Sequence, residues 1–438
     1  MAGEWNEQPL AELCLYLNRG AAPSYVDQGG ILVLNQKCVR EGRVLFAEAR
    51  RTDHVAKAVT AERFLKPYDV LVNSTGVGTL GRVAQVLDLP EIATVDSHVT
   101  IVRADSKKMF PLYLGLALRY FQSEIEALAE GSTGQTELSR TRLGSMRIPL
   151  PPDEEQRAIA HILGTLDEKI ELNRRMNETL EAIARALFKS WFVDFGPVRA
   201  KSEGREIGLP KPIADLFPDS FEDSALGEIP TGWRVGSVDD EFNLTMGQSP
   251  PGDTYNEVEM GLPFYQGCTD FGFRFPTRRI YCTTPTRLGK AGDALVSVRA
   301  PVGDINMATE DCAIGRGVAA VRHKTGSRSY SYQFMRSIKE VFARFEAEGT
   351  VFGSIGKKDF HEIACVNPPR KLVLAYEARV SPLDDRVEVN ERESRTLAAL
   401  RDALLPKLIS GELRVRSLKK AIPGDGQREV DCDERMQP

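Results

Sequence analysis

Pro149-Leu150-Pro151-Pro152-Asp153-Glu154-Glu155-Gln156-Arg157-Ala158-Ile159-Ala160 carries a double proline straight into an acidic turn and then into helical periodicity. Proline closes the segment before it, and carboxylates in a first helical turn complement the positive end of the helix dipole. Apolar residues then recur at Ile159, Ile162, Leu166, Met176, Leu180, Ile183 and Leu187, ending near Trp191. Steps of three and four sustained over this length predict one long helix with a coiled-coil seam.

Working outward, the same pattern returns once. Pro368-Pro369 precedes a second helical stretch with Tyr376, Leu383, Leu397, Leu400, Leu404 and Leu408 on its stripe, with Pro406 and Gly411 read as its end. Other strings repeat at a shared offset of about 220 residues, far longer than the period of a solenoid. Trp5 is matched by Trp233, Tyr68-Asp69-Val70-Leu71-Val72 by Gly292-Asp293-Ala294-Leu295-Val296, and Glu130-Gly131 by Glu348-Gly349. The chain reads as a duplication. Each half has a mixed region of short β-type runs and glycine turns, with helices at Leu112 to Leu128 and Tyr330 to Phe345, followed by one long helix.

Stepping by sevens places Asn173 on the first seam and Asn390 on the second, at matching positions. A buried asparagine on a seam costs stability and fixes register when it meets a polar partner. An antiparallel helix pair with a pseudo-twofold axis through these residues is therefore expected, Asn173 facing Asn390; the alternative is that each edges into solvent. The expected organisation is a mixed α/β domain over 1–150, a helix over 151–195, a linker over 196–225, a second α/β domain over 226–370, a helix over 371–415 and a flexible tail over 416–438. In class this is α+β, two α/β heads separated by an antiparallel coiled coil.

Composition narrows the function. The 438 residues are 42% hydrophobic and 27% charged, as in ordinary globular proteins. No apolar run suits a membrane span, and the start lacks the regions of a signal peptide. Seven scattered cysteines form no C-x-x-C pair, so a reduced, cytoplasmic protein is expected. The net charge of −5 excludes wholesale coating of nucleic acid but not local patches. One such patch runs from Arg274 to Arg328, with Arg278, Arg279, Arg287, Lys290, Arg299, Arg316, Arg322 and Lys324 interleaved with Phe273, Phe275 and Tyr281. It reads equally as a solvated surface or a nucleic-acid face.

Four strings look catalytic. Gly76-Val77-Gly78-Thr79-Leu80-Gly81 follows a strand, but a dinucleotide site needs a helix next, and Arg82-Val83-Ala84-Gln85-Val86 alternates like a strand. Asn367-Pro368-Pro369 lacks the aromatic ring that a base-modifying loop would stack on a flipped base, having Arg370 there. Pro152-Asp153 with Asp167-Glu168-Lys169 lies along one helix, whereas nuclease acids converge on a metal from a sheet. Gly356-Lys357-Lys358 lacks the upstream glycine of a phosphate loop. No catalytic residue and no metal site is expected, and the five histidines show no ligand spacing.

The run Pro149 to Ala160, with Leu166-Asp167-Glu168-Lys169-Ile170-Glu171-Leu172-Asn173, closely resembles the central conserved region of type I restriction specificity subunits. Leu226-Gly227-Glu228-Ile229-Pro230-Thr231-Gly232-Trp233 and Leu404-Leu405-Pro406-Lys407-Leu408-Ile409-Ser410-Gly411-Glu412-Leu413 resemble further conserved stretches in the family's order, and the likeness spans nearly the whole chain. Lys371 to Arg379 departs from the usual P-P-x-x-E-Q, which blurs the start of the second helix. The resemblance implies a non-catalytic subunit whose two target-recognition heads each read half of a split, asymmetric DNA site. The helices would set the spacer and bind two methyltransferase (M) subunits, with restriction/translocase (R) subunits joining the complex. S-adenosylmethionine, ATP and magnesium would belong to those partners, and none to this chain. A helix from Gln156 to Trp191 spans about 53 Å, against about 34–36 Å for a turn of DNA.

Glycine turns bring backbone to phosphate, while Arg, Lys, Gln, Asn and Ser reach base edges. The candidates are Asn35, Gln36, Lys37, Ser74, Thr75, Thr133, Gln135 and Ser139 in the first head. In the second they are Gln248, Ser249, Gln266, Arg299, Arg316 and Ser354. Ser297-Val298-Arg299-Ala300-Pro301-Val302-Gly303 is the strongest segment, since arginine beside a constrained turn suits a bidentate guanine contact. Two other readings stay open: a coiled-coil scaffold that binds only proteins, and a DNA enzyme with a divergent active site.

Overall fold

A computed structural model describes residues 5–131, 136–348 and 353–415. Thr133, Gln135 and the expected tail over 416–438 lie outside the described residues. The chain divides into two compact units, unit 1 from Met1–Ile170 with Arg395–Pro438 and unit 2 from Glu171–Ser394. Two long helices, α1 (Asp153–Phe188) and α2 (Arg370–Ile409), each contribute to both.

Unit 1 is built on strands β1 (Cys14–Arg19), β2 (Ile31–Leu34), β3 (Val70–Asn73), β4 (Val83–Gln85), β5 (Ala93–Val95) and β6 (Val99–Ala104). One sheet has the order β1-β6-β3-β4; the other runs from β5 through β2 to Arg50–Thr52 and Tyr25–Val26. The central strands are buried on both faces, which is why they read as continuous β-branched runs. Val70 and Val72 face a core with Tyr113 and Leu114 of helix Pro111–Tyr120. Leu71, pointing the other way, packs with Leu34 and Val95 of the second sheet.

Unit 2 repeats the plan with β7 (Phe242–Met246), β8 (Leu262–Tyr265), β9 (Ala294–Ser297), β10 (Ile305–Met307), β11 (Cys312–Ile314) and β12 (Val318–His323). The order β7-β12-β9-β10 matches β1-β6-β3-β4, and the parallel pair β8·β11 matches β2·β5. Ala294 and Val296 face one core and Leu295 another, as in unit 1. The duplication read from short strings is thus a duplication of topology.

Within each unit the two helix segments run antiparallel. In unit 1 Asp167 of α1 takes Arg401 of α2 at 2.7 Å and Arg119 of the head at 3.0 Å. The buried Gln156 anchors the start of α1, donating to Pro151 O at 2.8 Å and accepting from Phe110 N–H at 2.8 Å. In unit 2 the Tyr376 hydroxyl donates to Ala184 O at 3.0 Å.

The apolar stripe expected from sequence is displaced. Ile183 and Leu400 are exposed, and Leu166, Met176, Leu383 and Leu397 are half-buried. The inward positions of α1 in unit 2 are Asn173, Asn177, Glu181, Ala184 and Phe188, three of them polar. A search for apolar residues alone therefore slides to neighbouring positions. Both seam asparagines are buried and meet across the helix pair, Asn173 Nδ2 donating to Asn390 O at 3.4 Å. Asn173 donates to Glu393 at 2.8 Å, and Asn390 donates to Asn177 Oδ1 at 2.8 Å. Replacing Asn390 with leucine orphans Asn177, with an expected cost of about 1–3 kcal/mol, while Asn177→Leu/Asn390→Leu recovers most of it. Thermal melts of the two variants check this.

Pro406 lies inside α2 rather than at its end, as does Pro382; each removes one backbone hydrogen bond from a helix of 40 residues. Residues 196–225, expected as a linker, form helices Gly196–Ser202 and Lys211–Ala214 and fold onto unit 2. Phe195, Val198 and Phe217 join its core, Trp191 meets Phe217 edge-on at 5.2 Å, and Lys201 donates to Phe217 O at 2.6 Å. Burying those aromatics is what turns a Pro/Gly-rich segment into ordered structure. No helix among the described residues is long and apolar enough to cross a membrane.

Candidate nucleic-acid interface

In each unit the same loops meet at the strand ends. Ser74 N–H donates to His98 O at 2.8 Å, and Val298 N–H donates to Gly317 O at 2.9 Å. One residue on, Thr75 bridges to Glu137, and Arg299 bridges to Ser354. Asp96 N–H donates to Leu34 O and Gly315 N–H to Tyr265 O, both at 2.9 Å, placing Asn35 and Gln266 at matching corners. The two halves hold one backbone frame with different side chains on it.

In unit 2 the frame gathers every candidate. The Ser249 hydroxyl lies 3.0 Å from Gln266 Oε1, Arg316 N–H reaches Ser249 Oγ at 3.4 Å, and Gln248 N–H donates to Ile314 O at 3.0 Å. Gln248, Gln266, Arg299, Arg316 and Ser354 are exposed and Ser249 is half-buried. Burial pushes the Tyr255 phenol above its ordinary value, and the nearby Arg316 guanidinium opposes that shift.

The basic stretch from Arg274 to Arg328 is mostly spent inside the unit. Arg278 pairs with Glu310, Arg279 with Asp270, Lys290 with Asp311, Arg322 with Asp293 and Arg328 with Asp385. Lys324 donates to Asp239 O and Asp240 O. Arg274 is 1% exposed, stacks 3.9 Å over the Tyr332 ring and bonds Asp384 at 2.9 Å and Glu181. Arg287, Arg299 and Arg316 have no ion-pair partner among the described residues, and all three belong to this rim. Ile314 N–H donates to Arg287 O at 3.0 Å, which adds Arg287 of the basic stretch to the residues expected at this rim.

Unit 1 is more committed. Ser74 is fully buried with its hydroxyl 2.5 Å from Thr100 Oγ1, so it fastens two strands and is withdrawn as a base-reading candidate. Strand alternation turns it inward, which a loop-based reading could not see. Asn35 caps a short turn by accepting from Lys37 N–H at 2.8 Å, and Ser139 caps helix Arg140–Ser145 through Arg142 N–H at 3.2 Å. Thr75 bonds His98 Nδ1 at 2.7 Å. Gln36 packs its amide against Gly76, where a Cβ would collide with it, and Lys37 is exposed. Asn35, Gln36, Lys37 and Thr75 therefore share one corner. Asn73, missed in the sequence, ties it together by donating to Gln36 O at 3.0 Å and Thr79 O at 3.1 Å. The available signal was a lone amide ending an apolar strand. Gly76 to Gly81 form the turn of the β3–β4 hairpin, with no helix after them.

Known proteins carry the same plan. A family model described as a type I restriction modification DNA specificity domain matches residues 4–182. A protein of Methanocaldococcus jannaschii, provisionally named a type I restriction enzyme MjaX specificity subunit, is 27% identical over 422 residues, covering 94% of this chain and 95% of that one. The type I restriction enzyme HindI specificity subunit of Haemophilus influenzae is 22% identical, covering 94% of this chain and 100% of its own. In fold, the crystal structure of a type I restriction-modification system S subunit from M. genitalium superposes with a TM-score of 0.59 at 18% identity, covering 92% of this chain and 96% of that one. Over most of its length the chain is similar to type I restriction-modification specificity subunits.

Proposed function

We propose that the chain selects the DNA site of a type I restriction-modification complex, each unit's rim reading one half of a split, asymmetric double-stranded target. The observation that carries this is the paired frame: two copies of one backbone arrangement present different side chains, as two different half-sites require. Bidentate donors such as Arg299 and Arg316 suit guanine, and amides such as Gln248 and Gln266 suit adenine. Catalysis falls to partners in this reading. Two M subunits carry S-adenosylmethionine and methylate adenine, and R subunits use ATP and magnesium for cleavage, in the cytoplasm.

The helices would set the spacer and hold the M subunits. Leu172, Ile183, Leu374 and Val389 are left exposed on α1 and α2, apolar surface that a partner would cover. Each helix contributes to both units, and in this reading its length would set the spacer. Removing one heptad from each helix takes out about 10.5 Å of rise, or about three base pairs of duplex. Methylation mapping of that variant is expected to give the same half-sites with a spacer shorter by that amount. An unchanged spacer would contradict the ruler.

A further inference from the structure

We propose that Val77 reads thymine, packing its isopropyl group on the C5-methyl in the major groove of the half-site bound by unit 1. The inference rests on the DNA-reading function above and adds a base identity to it. Val77 is 82% exposed and belongs to none of the packed apolar clusters of unit 1. It sits at the apex of the turn between β3 and β4, next to Thr75, in the corner shared by Asn35, Gln36 and Lys37.

The turn that carries it is tightly held. Thr79 N–H and Leu80 N–H donate to Gly76 O at 3.1 and 3.0 Å, and Gly81 N–H donates to Asn73 O at 2.8 Å. Asn73 Nδ2 holds Thr79 O, and the Arg82 guanidinium donates to Gly78 O at 2.8 Å. Gly76 and Gly78 flank the valine at φ of 105° and 70°, conformations that other residues resist. Around Gly78 the space is open to 4 Å. A β-branched side chain is stiff about its first torsion, so little freedom remains to be lost when it docks. The result is a preset apolar knob on an otherwise polar corner, and the thymine methyl is the apolar feature of the major-groove edge.

Unit 2 differs at the same place. Its loop carries Arg299, and the apolar residue that follows, Val302, is turned into the core. Methyl recognition is accordingly assigned to one unit and hydrogen-bond donation to the other.

The test uses the chain bound to its methyltransferase partners and the target found by methylation mapping. Two duplexes are made, each with deoxyuridine for every thymine of one half-site, which removes the methyl and nothing else. The native complex is expected to lose about fourfold in affinity per contacted methyl on one of them. The Val77→Ser complex is expected to bind the thymine duplex correspondingly more weakly and to show no further loss on that uridine duplex. Equal binding of all three duplexes by the native complex overturns the proposal, as does a Val77→Ser complex that keeps the native preference. If the native complex does not favour its target over unrelated DNA, the DNA-reading function itself fails and the proposal goes with it.

Discussion

Replacing Arg274 with alanine is expected to destabilise unit 2 by about 3–5 kcal/mol, the range for removing one partner from a buried charge cluster. The guanidinium is inserted between Glu181 of α1 and Asp384 of α2, and all three side chains are at least 97% buried. Gln333 donates to Glu181 Oε1 at 3.1 Å and Arg336 also bonds it, so Glu181 keeps partners when Arg274 is lost. Asp384 does not fare so well. Burial already holds its carboxyl above the usual carboxylate range, with Arg274 the first opposing influence. The backbone matters too, since Met307 N–H donates to Arg274 O at 2.9 Å and ties the arginine's loop to the sheet. Urea unfolding measures the loss. A volume-matched Arg274→Met/Glu181→Leu/Asp384→Leu variant is expected to recover most of it, because a buried ion pair owes much of its apparent value to the penalty of leaving half of it behind.

The second large effect falls on DNA. Arg299→Ala and Arg316→Ala are each expected to weaken binding of the assembled complex by about 1–3 kcal/mol on the native target and to relax specificity at one base position. Folding should be little affected, since both side chains are exposed and free of ion pairs among the described residues. If either arginine meets phosphate instead, binding drops on all sequences alike and the salt slope falls by about one unit. Arg279→Ala is the control. That residue is exposed and equally basic but bonded to Asp270 at 2.8 Å, and its loss should leave affinity within about twofold, as for a solvated surface pair. Equal losses from Arg279 and Arg299 would mean that net charge, rather than the rim, attracts DNA.

How much of this was legible in sequence follows from what each feature depends on. The start of α1 was readable because Pro151, Pro152 and three acids act locally. That Thr75, Gln36, Arg299 and Arg316 lie in loops at a sheet edge was readable because glycine turns next to β-branched strands announce such loops. Ser74 looked equivalent to Thr75, yet strand alternation turns one inward and the other out. The basic stretch was ambiguous for a different reason: which of its cations are neutralised is decided by the fold, and the partners of Arg274, Glu181 and Asp384, stand 93 and 110 residues away. The seam of α1 and α2 slipped because Asn177, Glu181 and Asp384 occupy inward positions that apolar periodicity cannot register. The linker was misjudged by composition, since Phe195, Phe217 and Trp233 converge only in three dimensions.

The most direct test of two rims reading one split site is to co-express the chain with its methyltransferase partner and map methylated adenines across host DNA. The account predicts a motif of two unlike fixed halves with a constant unread spacer, appearing only when this chain is present. Methylation on one continuous site, or equal methylation without the chain, would contradict it.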